Sequence, residues 1–161
     1  MNNKTNSLKI INLIIKFLNE GFDVKKSLEM TAKELKLNEK KIEEVNNNIL
    51  YDGINSLIIS INLFINQEMK TLKSKDFKKL RVNEKIRFLV LSRLKIIDKF
   101  FDRKLIFKLV VKQKSISKAG AMLFNVSDEI WHLSGDTSTD FNYYTKRIIL
   151  MNIYFASFFY F

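Results

Sequence analysis

Apolar residues recur at helical spacing along nearly the whole chain, and no stretch gives a convincing strand alternation. Ile10, Ile11, Ile14, Phe17 and Leu18 share one face of a helix expected over residues 7–19. Gly21 is placed to end it, because the left-handed C-terminal position costs glycine nothing. A shorter helix over residues 27–35 turns Leu28, Ala32 and Leu35 inward. Asn38 suits the N-cap of a third, over residues 39–47, with Ile42 and Val45 inward. Three short helices joined by small turns have the form of a helix-turn-helix unit.

The next helix is long. Asp52 can cap a run through Ile54, Leu57, Ile58, Ile61, Phe64 and Ile65 that ends near Leu72. A Lys-rich break over residues 70–79 lacks sustained periodicity; from residue 83 Ile86, Val90, Leu94 and Ile97 form a clean stripe. Leu105, Ile106, Leu109 and Val110 mark a short helix over residues 103–112. Ser115 or Ser117 begins another, which passes Ala121, Phe124, Ile130 and Trp131 before Gly135. The last is expected to run from Thr137 into Phe161; its final residues have local strand propensity, but helical continuation from Tyr143 is the stronger pattern. The expected architecture is all-α, with residues 1–50 as the helix-turn-helix-like part and residues 51–161 as a larger helical domain.

Composition agrees. The 161 residues include no proline and four glycines, a scarcity that suits helices with short connections. The absence of cysteine removes disulfides, thiolate metal sites and a cysteine nucleophile. The formal charge of +11 can attract nucleic acid or an anionic membrane, and does not choose between them. Lys9, Asn12 and Lys16 interrupt the first apolar stretch and no small-residue cleavage site follows, so it reads as an amphipathic helix rather than a signal peptide. His132 is the single histidine, so neither a His-rich metal cluster nor a Ser-His-acid triad can be assembled.

The terminal helix is the most informative segment. Residues 148–161 are apolar nearly all round, which an ordinary amphipathic surface helix does not need. At the helical rise they span about 21 Å, short of the roughly 30 Å bilayer core. Ahead of them, Thr137 and Asp140 have the spacing of an approximate capping box, and Asp136 and Asp140 place negative charge near helix N–H groups. Asp128, Glu129, Asp136 and Asp140 are expected to serve as caps and as partners for Lys146 or Arg147.

Four stretches carry a family resemblance: Val82-Asn83-Glu84-Lys85-Ile86-Arg87, Arg93-Leu94, Asp128-Glu129-Ile130-Trp131, and the run from Gly135 to Arg147 (GDTSTDFNYYTKR), with Leu150 and Tyr154 after it. The sequence resembles the ubiquinone (coenzyme Q) biosynthesis accessory lipid-binding proteins, most densely in its second half. The resemblance implies a TetR-like helical bundle with a degenerate N-terminal helix-turn-helix unit, assembled as a homodimer. It implies a non-enzymatic role without cofactor or metal: binding an isoprenoid or phospholipid and presenting a quinone precursor to the demethoxyubiquinone hydroxylase. The implied setting is the bacterial cytoplasm or the mitochondrial-matrix side, peripheral to the inner membrane. The family continues beyond this helix toward a membrane-contacting segment that the present chain is expected to lack.

Residues expected to line the lipid are Leu94, Leu109, Phe124, Trp131, Tyr144, Ile148, Met151 and Phe155. Asp128, Trp131, His132 and Tyr144 are, by resemblance, candidates for the hydroxylase contact. In the basic run that also includes Lys70, the residues Lys73, Lys75, Lys78, Lys79 and Arg81 form either a solvated linker or a surface drawn to anionic headgroups. DNA reading is disfavoured: the third helix offers Lys40 and Lys41, but Glu39, Glu43 and Glu44 would face phosphates if exposed.

Overall fold

The computed structural model describes residues 2–72, 77–112, 115–139 and 141–160, and these are all-α, with eight helices and no strand among them. In order they are α1 (Asn2–Asn19), α2 (Val24–Leu35), α3 (Glu39–Ile49), α4 (Ile54–Thr71), a 3-10 turn (Phe77–Lys79), α5 (Val82–Phe100), α6 (Arg103–Lys112), α7 (Ile116–Ser134) and α8 (Phe141–Tyr160). Side-chain caps explain several starts. Asp23 accepts from the Lys26 N–H at 2.8 Å, which sets α2 three residues earlier than its apolar pattern alone indicates. Asn38 accepts from the Lys41 N–H at 2.9 Å, and Asp102 from the Lys104 N–H at 2.8 Å. Glu84 accepts from the Arg81 N–H at 2.8 Å, the backward half of a capping box at the head of α5.

The chain packs as two compact units. The first unit is Met1–Leu63 with Phe100–Lys114; the second is Phe64–Lys99 with Ser115–Phe161. In the first, α1 packs against both α2 and α6. Ile10, Ile11, Ile14, Ile15, Phe17 and Leu18 of α1 are buried, as are Leu28, Ala32, Val45, Leu57 and Leu109. Polar side chains add to this packing at the end of α5 and along α6. Asn12 Nδ2 donates to the Phe100 carbonyl at 2.9 Å, and Asn19 Nδ2 to the Leu105 carbonyl at 3.3 Å. Lys112 Nζ donates to the Leu18 carbonyl, near the negative end of the α1 dipole. On α3, Glu39, Glu43 and Glu44 are exposed.

In the second unit α7 and α8 pack as a pair. Leu89, Val90, Leu94, Ile97, Val126, Ile130, Leu133, Leu150 and Tyr154 are buried. So is Arg93, which projects into this core from the α5 apolar stripe. Its Nη1 donates to Asn66 Oδ1 at 2.5 Å and its Nε to the Tyr154 hydroxyl at 3.3 Å, joining α4, α5 and α8.

Candidate functional site at the junction of α7 and α8

The site is built on the end of α7. Gly135 adopts a left-handed conformation, φ 95°, and donates its N–H to the His132 carbonyl at 3.0 Å. The Asp136 N–H then returns to the Trp131 carbonyl at 3.1 Å, closing the helix and turning the chain back. Residues 136–139 are consequently not helical, and α8 begins at Phe141 rather than at Thr137. Asp136 is therefore not a cap. Its carboxylate reaches forward one to two turns of α8, taking Lys146 Nζ at 2.8 Å and Arg147 Nη1 at 3.2 Å. Asp140, the other expected capping carboxylate, lies outside the described residues.

Arg147 is the hub. Its side chain is only 3% exposed, and its Nε meets Asp128 Oδ1 of α7 at 2.5 Å. Its Nη1 also donates to the Tyr143 carbonyl at 3.0 Å, and the guanidinium carbon stands 3.4 Å from the Tyr143 ring centroid. The Tyr143 hydroxyl donates to the same Asp128 oxygen at 3.0 Å. On the flank, Ser138 donates to Asp136 at 2.6 Å and Lys146 Nζ lies 2.9 Å from the Ser138 hydroxyl. Trp131 donates its indole N–H to the Lys146 carbonyl at 3.1 Å, with Lys146 Nζ 5.3 Å from its ring centroid. Two carboxylates, two cations and two aromatic rings thus clasp α8 to α7.

The electrostatics follow the geometry. Burial alone would raise the Asp136 carboxyl; hydrogen bonds from Lys146, Ser138 and Arg147, with the Lys146 charge, outweigh it and hold the group at about 2, below its ordinary 3.8. Burial also opposes the Arg147 charge, but Asp128 and Asp136 stabilise the guanidinium and raise its pKa. The hydrogen bond to Asp128 pushes the Tyr143 phenol up, with burial and the Asp128 charge acting in the same direction and Arg147 against.

The family model for COQ9 matches residues 116–161, the segment that forms α7, the turn and α8. Over that segment the chain is similar to COQ9. It is 27% identical over 95 residues to the mitochondrial ubiquinone biosynthesis protein COQ9 of Rattus norvegicus, covering 58% of this chain and 30% of that protein. The Homo sapiens protein of the same name is 28% identical over 91 residues, covering 56% and 29%. The probable mitochondrial ubiquinone biosynthesis protein coq9 of Dictyostelium discoideum is 30% identical over 99 residues, covering 61% and 31%. The chain thus spans about three tenths of the length of these curated relatives. No solved structure matches it.

The expected lipid-lining residues occupy three settings. Leu94 and Leu109 are fully buried, Leu109 in the first unit and Leu94 in the second. Phe124, Trp131 and Met151 are half-buried. Tyr144, Ile148 and Phe155 are exposed on one side of α8. Among the expected partner residues, Asp128 and Trp131 are engaged in the clasp, while His132 and Tyr144 face outward. Lys78, Lys79 and Arg81 are exposed; Lys73 and Lys75 lie outside the described residues. Among the described residues no three His, Asp or Glu side chains gather as metal ligands, and no single helix is long and apolar enough to cross a membrane.

Sequence reading did not anticipate Arg93 as a bridging group. A signal existed: Arg93 falls three residues after Val90 and four before Ile97, on the buried stripe of α5. A cation there must carry its own hydrogen-bond partners, which Asn66 and Tyr154 supply.

Proposed function

We propose that this chain is a non-enzymatic, lipid-binding accessory protein of ubiquinone biosynthesis. It holds the isoprenoid tail of a quinone precursor, or a phospholipid, and presents the headgroup to the demethoxyubiquinone hydroxylase. The observation that carries the reading is the outer arc of α8. Tyr144, Ile148, Ile149, Ile153, Phe155 and Phe159 leave between 48% and 59% of their surface exposed there, while Arg147, Leu150 and Tyr154 face inward. A hydrocarbon tail laid along that arc gains roughly 25 cal/mol for each Å² of apolar surface withdrawn from water, with no reactive group required.

The names of the curated relatives support the pathway, and their mitochondrial designation supports a matrix-side setting peripheral to the inner membrane. The clasp supports a non-catalytic role for Asp128 and Asp136, since both are committed to Arg147. A TetR-like bundle acting as a homodimer, with the lipid carried by the second unit, is the arrangement we favour. The alternative, a DNA-binding regulator, is opposed by the exposed Glu39, Glu43 and Glu44 on α3.

Lipid extraction of the purified protein followed by mass spectrometry tests the proposal. An isoprenoid or phospholipid is expected at near-stoichiometric amount with the native chain and lost from an Ile148→Asn/Phe155→Asn variant that keeps its helical content. A native chain carrying no lipid, or a variant carrying the same load, would overturn it.

A further inference from the structure

In the first unit, α2 and α3 leave between them a groove of about 1080 Å³, open to solvent and lined by apolar groups of Val24, Leu28, Ala32, Leu37 and Ile42. We infer that this groove docks an amphipathic helix of a partner protein, apolar on one face, with acidic residues along one edge of that face and basic residues along the other. The inference does not rest on lipid carriage by α8. Val24, Leu28 and Ala32 follow one another at four-residue steps, a row of about 12 Å that matches two turns of a docked helix. A helix suits these walls because it satisfies its own backbone. An extended peptide would press N–H and C=O groups against apolar side chains, and no strand among the described residues offers them an edge.

The charges along the groove select its occupant. Lys25, Lys33 and Lys36 stand on the α2 bank and Glu39 and Glu43 on the α3 bank, all exposed. None of the five forms an ion pair among the described residues, whereas Glu29, also on the α2 bank, is bonded to Lys26 at 3.3 Å. A nucleic-acid backbone would gain at the lysines and lose at the glutamates. Two banks of opposite sign fit a surface that itself carries both signs. The backbone at Lys36 points the same way. As the C-cap of α2 it lies in the left-handed region, φ 50°, which glycine adopts without strain and lysine does not. What lysine brings to that corner is a cation at the end of the groove.

The test is fluorescence anisotropy of the full chain with three labelled helical peptides that share one leucine face. The first has Glu along one edge and Lys along the other, the second Lys on both edges, and the third Glu on both. The mixed peptide is expected to bind about tenfold tighter than either uniform one, since each exposed pair contributes about twofold. Lys25→Glu/Lys33→Glu should weaken the mixed peptide about tenfold and strengthen the all-Lys one, while the exposed α6 pair Lys104→Glu/Lys108→Glu should change either by less than about twofold. Ile42→Ser should weaken all three peptides about threefold. Lys36→Gly should weaken the mixed peptide about twofold yet raise the thermal midpoint, a pair of opposite responses that a purely structural lysine would not give. Circular dichroism checks that each variant is folded; if the reversal pair is not, Lys25→Gln/Lys33→Gln replaces it, with about a threefold loss expected. Equal affinity for the three peptides, or no binding of any at millimolar concentration, would refute the inference. So would an equal loss in the α6 control, or a short DNA duplex that displaces the mixed peptide at matching concentration.

Discussion

The two units fasten a partner helix by opposite means. In the first, α6 is held to α1 by Asn19, with Lys112 reaching a carbonyl at the end of α1, while Asn12 bonds the carbonyl of Phe100 that ends α5. In the second, α8 is held to α7 by ionised groups, with Arg147 between Asp128 and Asp136. Asn amides bonded to backbone carbonyls gain modestly, because the same groups bond well to water in the unfolded chain. A guanidinium that is 3% exposed is different: once desolvated it depends on its carboxylates, and losing either partner strands a charge. The COQ9 match falls on the ionic clasp, so much of that sequence signature is explained by how α8 is mounted rather than by chemistry at a substrate.

The largest effect is expected at the hub. Arg147→Ala should destabilise the second unit by about 3–4 kcal/mol, because Asp136, with a side chain 8% exposed, loses one of its two cations. Hydrogen exchange resolved by peptide would show α7 and α8 losing protection while α1 and α6 keep theirs. Equal loss in both units would break the contrast. Next comes Asp136→Asn, at about 2 kcal/mol, since Arg147 retains Asp128.

The same residue gives the contrast a pH dependence. The Asp136 carboxyl is depressed in the folded protein, from 3.8 to about 2, so its contribution is fully present above the unfolded value and is lost as pH falls through the folded one. Acid should weaken the second unit between roughly pH 4 and pH 2, by about 1–2 kcal/mol once screening at the half-exposed Lys146 end is allowed for. In denaturant titrations at stepped pH, Asp136→Asn should flatten this window. An unchanged slope in the variant would show that other carboxylates carry the acid response.

Much of the fold was legible because helical spacing depends on local apolar pattern, and the expected helices correspond to α1 through α8 with shifted ends. The shifts have local causes. Asp23 caps α2 earlier than the apolar stripe begins, and Asp136 prefers two cations to the α8 N-terminus, leaving residues 136–139 outside the helix. The pairing of Asp128 and Asp136 with Lys146 and Arg147 was also legible, since opposite charges bracketed one turn. The polar links of α6 to α1 were not, because the Asn19 and Lys112 bonds to backbone carbonyls leave no trace in the periodicity. Nor did spacing reveal that Leu109 sits in a different unit from Leu94 and the exposed stripe of α8.

The smallest expected effect sharpens the comparison from the neutral side. Asn19 donates twice, to Ile15 and Leu105, yet its own Oδ1 is buried without a hydrogen-bond partner. Asn19→Ala removes the bond across to α6 but also removes that unsatisfied oxygen, so the two changes partly cancel. A loss of about 1 kcal/mol or less follows, and Asn12→Ala, at a more exposed site, should cost about half as much. Neither change creates a charge imbalance, so neither should depend on pH between 4 and 8. Urea unfolding of both variants, followed through exchange of the amides at the end of α5 and in α6, measures this directly. A cost near that of Arg147→Ala would mean that the amide bonds fix α6 as firmly as ions fix α8, and that the two units are held by equivalent means.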